Sequence, residues 1–69
     1  MERIKALRED NDQTQKGIAD ILQITQQQYQ LYESGKRTLP IQHLRTLCIY
    51  YNVSADYILG LPRGLEWPR

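Results

Sequence analysis

Cysteine occurs once in the 69 residues, at Cys48. One cysteine excludes an internal disulfide framework and a multi-cysteine zinc site. Small secreted domains lean on such staples, so a reducing cytoplasm is the expected compartment. Histidine also occurs once, at His43, and has no partner for catalysis or metal ligation. Phe is absent, Val occurs only at Val53, and strand-like alternation is almost missing. No apolar run approaches the roughly 20 residues of a membrane span. The opening Met1-Glu2-Arg3-Ile4-Lys5 leads into no signal-peptide core. There is no glycine-rich phosphate loop. An enzyme therefore has no candidate constellation here, and no cofactor or metal is expected. Lys plus Arg is 9 against 8 Asp plus Glu, a net charge of +1, so global charge argues neither for nor against nucleic acid.

What is present is helical. Hydrophobic residues make up 41% of the chain, with nine Leu, seven Ile and five Tyr, enough for one modest core. The periodicity and cap signals predict an all-α fold of five helices, over about 2–11, 15–22, 26–34, 41–51 and 55–60. Ile4 and Leu7 share one face of the first helix, and Asn11 and Asp12 tolerate a left-handed end. Thr14 caps the second helix, whose stripe is Ile18, Ala19 and Leu22. Thr25 and Gln28 read as a capping box for the third, with Ile24 and Tyr29 as its staple and Gly35 as its stop. Pro40 opens the fourth, with Ile41, Leu44, Leu47, Cys48 and Tyr51 as its apolar stripe. Ser54 caps the fifth and Val53 staples it to Ile58. Residues 1–61 form the expected domain and 62–69 a short tail, in which Trp67 folds back, meets a partner or stays disordered.

Only Gln23-Ile24-Thr25 separates the second helix from the third. A three- or four-residue turn between short helices is the helix-turn-helix signature, whose DNA-binding form lays its second helix in the major groove. At about 100° per residue, Gln26, Gln27, Gln30 and Leu31 fall on one arc of the third helix, away from Tyr29 and Tyr32. A solvated face usually carries Glu and Lys. This one carries no charge. A glutamine head offers one acceptor and two donors, which match adenine N7 and N6 in the major groove, and leucine can rest on a thymine methyl. Seven of the eight Gln lie between Gln13 and Gln30. From Ile21 to Ser54 the only acid is Glu33, while Lys36, Arg37 and Arg45 are basic. Lys36 and Arg37 come directly after the third helix, where they can pair with phosphates.

The string Thr14-Gln15-Lys16-Gly17-Ile18-Ala19, then Ile24-Thr25, Tyr32-Glu33-Ser34-Gly35-Lys36-Arg37, Pro40 and Val53-Ser54-Ala55-Asp56-Tyr57-Ile58-Leu59, resembles the phage-repressor and Cro-type helix-turn-helix family, also called the xenobiotic-response-element family. The resemblance covers about residues 3 to 60. It implies a five-helix, lambda-repressor-like domain of bacterial or phage origin that binds double-stranded operator DNA as a homodimer, with the third helix in the major groove. It implies base reading by Gln26, Gln27 and Leu31, with Gln30 beside them. It places Gln15, Thr25, Lys36 and Arg37 at phosphate-facing positions, and makes Arg8 and Glu33 a structural ion pair; Lys16, next to Gln15, is a further phosphate candidate. Three departures stand out. Leu31 stands where members often have a polar or charged reader. Gln23 occupies a turn position that is usually glycine, and Gln13 replaces the apolar residue that staples the second helix, which should then be held less firmly.

The remaining candidates are modest. Cys48 reads as a small buried thiol and His43 as a surface or interface residue. Tyr50, Tyr57 and Leu61 are the exposed-apolar candidates for a dimer contact. The expected function is a sequence-specific transcriptional regulator, a repressor reading a palindromic operator. The alternatives are a DNA-binding antitoxin of a toxin–antitoxin pair, or a protein-interaction module on the same fold.

Overall fold

The computed structural model describes residues 2–61; the tail and Trp67 lie outside the described residues. Five helices run in order: α1 (Glu2–Asp10), α2 (Gln15–Leu22), α3 (Gln26–Glu33), α4 (Ile41–Tyr51) and α5 (Ala55–Leu59). No strand occurs among the described residues. The predicted ends of α1, α3 and α5 run one residue long. Ser34 and Gly60 serve as caps, and Asn11 lies in the turn after α1.

The helix ends are set by the residues at them. Thr14, Thr25 and Ser54 each accept a hydrogen bond from the backbone N–H three residues on, which satisfies one donor that a helix start leaves open. At α3 the bond is reciprocal, because the Gln28 side chain accepts from the Thr25 N–H. Asp12, Gln23 and Asn52 take positive φ at 54°, 59° and 56°, ending α1, α2 and α4. At Gln23 this backbone explains why the position is usually glycine. The turn does need the left-handed backbone, and a glutamine there costs on the order of 1 kcal/mol relative to glycine.

The core is made by Ile4, Ile18, Ala19, Leu22, Tyr29, Tyr32, Leu39, Leu47 and Ile58, with Leu7, Ile24, Leu44, Cys48, Tyr51 and Val53 packed around it. Each fully buried Ile or Leu contributes about 1.5–3 kcal/mol relative to exposure. Ala19 is small at the middle of the α2 stripe, and α3 lies against α2 more extensively than any other helix pair does.

Two expectations are corrected. Ile41 does not belong to the core stripe of α4; it is 80% exposed. Leu47, Leu44 and Tyr51 centre the buried face, and Ile41 lies about 80° from that centre on the helical wheel. Cys48 is half-buried, with burial raising its thiol pKa. His43 is half-buried too, and its ring meets Tyr32 at 6.1 Å between centroids.

Candidate nucleic-acid interface

α3 turns Tyr29 and Tyr32 into the core, so its opposite side faces solvent. Gln26, Gln27 and Gln30 are exposed there, and Leu31 is half-buried. The three glutamines and Gln15, from the start of α2, line one open groove. No charged side chain lines it, so its recognition chemistry is amide donors and acceptors. Leu31 is not among its lining residues.

Beneath this face lies a polar lock. Arg8 of α1 grips Glu33, the last residue of α3, through Nε to Oε2 at 2.7 Å and Nη2 to Oε1 at 3.2 Å. The side chains are 13% and 4% exposed. Arg8 Nη1 also donates to the Gln13 carbonyl at 2.9 Å, and Gln15 Nε2 donates to Glu33 Oε1 at 3.2 Å. One carboxylate therefore ties α1, the start of α2 and the end of α3 together. Burial on its own would raise the Glu33 carboxyl pKa. The hydrogen bond from Arg8, the Gln15 amide and the Arg8 charge outweigh burial and hold it below the ordinary value. The hydrogen bond to Glu33 raises the already high pKa of Arg8 against the opposing effect of burial. The Tyr29 hydroxyl is buried without a hydrogen bond of good geometry, and burial, then the Glu33 charge, push it well up.

The phosphate candidates separate by what else they do. Lys36 and Arg37 are exposed and form no ion pair among the described residues. Lys16 is exposed but pairs with Asp20 at 3.3 Å. The Thr25 hydroxyl oxygen accepts from the Gln28 N–H, at the rim of the outward face. Gln15 spends one amide hydrogen on Glu33. The dimer candidates are likewise unequal. Leu61 is 45% exposed. The Tyr57 ring lies under the Arg3 guanidinium, 4.8 Å away. Tyr50 sits edge-on to Tyr51 and hydrogen-bonds Gln13.

Gln13 is the residue whose role the sequence hid. Its side chain joins Tyr50 and accepts from the Tyr51 hydroxyl at 2.9 Å, while its carbonyl accepts from Arg8. The missing apolar staple is replaced by a polar clamp, so the α2 entry is tied to α4 and not left loose. Burial pushes the Tyr51 phenol up to about 12. Ile49, 70% exposed at the outer pole of α4, was equally hidden. The signal for it was present: the α4 wheel places it about 160° from Leu47.

Two short helices at a three-residue turn, with an outward polar face on the second, define a helix-turn-helix domain. Residues 1–63 match the helix-turn-helix domain family, and the chain belongs to it, in its xenobiotic-response-element type. It is similar to the uncharacterized HTH-type transcriptional regulator YobD of Bacillus subtilis (strain 168), with 35% identity over 60 residues. Those residues are 87% of this chain and 54% of the relative, so the chain spans about half the length of the curated relative it matches. No solved structure matches it.

Proposed function

We propose that this domain binds double-stranded DNA and regulates transcription in the cytoplasm, acting as a repressor. In this reading residues 1–61 are the binding unit and α3 enters the major groove. Gln26, Gln27 and Gln30 read base edges, with Leu31 at the margin. Gln15, Lys16, Thr25, Lys36 and Arg37 meet phosphates. The observation that carries the reading is the uncharged groove of Gln15, Gln26, Gln27 and Gln30 on a helix that the Arg8–Glu33 pair holds in place. Kinship with a transcriptional regulator supports it. Bidentate amide pairing to adenine is the specific chemistry such a surface offers.

One α3 spans about 12 Å, so it covers only a few base pairs. Discrimination against a genome of competing sites needs more contacts. A two-fold homodimer reading a palindrome supplies them, with half-site centres about 10–10.5 base pairs apart or a multiple of that. Tyr57 and Leu61 are the surface for it, with Tyr50 at the end of α4. The test is selection of bound sequences from a random duplex pool. Enrichment of a palindrome supports the reading, and no enrichment over the starting pool defeats it. Inserting five base pairs at the centre of the selected site should abolish tight binding. Undiminished affinity would mean independent monomers.

A further inference from the structure

We propose that Lys5 of α1 is an additional contact to the DNA phosphate backbone, set against the reading helix from outside the helix-turn-helix itself. The proposal rests on the DNA-binding reading above. A second open groove is lined by Lys5, Gln15, Gln30, Glu33 and Ser34. It shares Gln15 and Gln30 with the glutamine groove, so the two adjoin. Lys5 therefore stands at the edge of the surface that α3 presents.

Helical spacing explains why it points there. Lys5 and Arg8 are three residues apart on α1 and so share a face. Arg8 is fixed on Glu33, which orients that face toward α3. Lys5 lies one turn earlier and is exposed. It forms no ion pair among the described residues. Glu33 is the one acid lining this groove, and its carboxylate already takes two hydrogen bonds from Arg8 and one from Gln15. Among the described residues the Lys5 charge is thus not spent. An ammonium on a flexible four-carbon stem suits a phosphate diester as a point-charge partner. A strand lying along the glutamine groove would bring its phosphates past this rim. Lys36 and Arg37 would then hold the backbone from the loop after α3, and Lys5 from α1.

The test compares wild type, Lys5→Gln, Lys5→Arg and Arg45→Gln on the selected duplex and on random duplex, over a range of salt. Arg45 is an exposed cation on α4 beside Ile41 and Ile49, and its variant carries the same loss of charge. Lys5→Gln should flatten the salt dependence by about 0.9 unit on both duplexes, the value for one phosphate contact. Lys5→Arg should keep the wild-type slope, and Arg45→Gln should leave it unchanged. An unchanged slope in Lys5→Gln overturns the proposal while the DNA reading stands. Equal flattening by Lys5→Gln and Arg45→Gln also overturns it, because a long-range charge effect would suffice. If wild type binds neither duplex, the DNA reading itself fails and the contact with it.

Discussion

The chain makes the same turn twice. After α2, Gln23 takes positive φ and bonds back to the Ala19 and Asp20 carbonyls, Ile24 returns to the core, and Thr25 caps α3. After α4, Asn52 takes positive φ and bonds back to the Cys48 and Ile49 carbonyls, Val53 returns to the core, and Ser54 caps α5. Residue class matches residue class at every position of the turn. The helices beyond the two turns differ. α3 has eight residues and turns three exposed glutamines outward. α5 has five and exposes Tyr57 and Leu59, with Leu61 beyond its end. The turn fixes how two helices meet, and the face of the second helix decides what the unit can bind. A helix of about 7.5 Å with an apolar face suits a protein contact, whereas about 12 Å of amide-bearing face suits a groove.

The largest expected difference between the two units lies in the polar lock, which α3 has through Glu33. Glu33→Ala should cost about 3–5 kcal/mol, because it strands the Arg8 charge beside the core. Denaturant unfolding reads this directly, and a loss under about 0.5 kcal/mol would make the pair equivalent to an exposed one. The same pair sets an acid limit. The Glu33 carboxyl is lowered in the fold, so its contribution is complete above the unfolded value near 4.5 and is lost as pH falls through the folded one. Glu33→Gln should flatten that limb of the stability curve.

Capping comes next. Thr25→Ala and Ser54→Ala should each destabilise by about 1 kcal/mol. Thr25 should cost the more, since its bond with Gln28 is reciprocal. A larger loss for Ser54 would reverse the ranking of the two starts.

The left-handed positions offer a gain. Gln23→Gly should stabilise by about 1 kcal/mol, and Asn52→Gly by only a few tenths, because asparagine already tolerates this backbone. In a domain of this size, about 1 kcal/mol moves Tm by roughly 4–8 °C. Equal shifts would mean that the two turns carry equal strain. The smallest effect belongs to Lys16→Ala. Its pair with Asp20 leaves both side chains at least 66% exposed, and stability should change by under about 0.5 kcal/mol.

The five helices and their N-caps were legible in the sequence because each rests on local chemistry: Thr14, Thr25 and Ser54 at the helix starts, and Gly35 after the third. Ile41 was misplaced for a physical reason. A spacing of three between Ile41 and Leu44 fits one stripe, but the packed centre of α4 lies near Leu47 and Tyr51, and Ile41 falls outside its width. Gln13 was misread because an apolar staple and a polar clamp do the same job. Only the meeting of Gln13 with Arg8, Tyr50 and Tyr51 across the fold reveals the second. On α3 the wheel separated Tyr29 and Tyr32 from the glutamines correctly, and it also put Leu31 outward, where the fold half-buries it.

In the proposed function the α3 glutamines read bases. This is tested most directly by measuring Gln27→Ala, with Gln26→Ala beside it, on the selected duplex and on random duplex at one salt concentration. Base reading by these side chains predicts a loss of about 1–3 kcal/mol on the selected site and little on random DNA. Equal losses on both duplexes, or none on either, would contradict it.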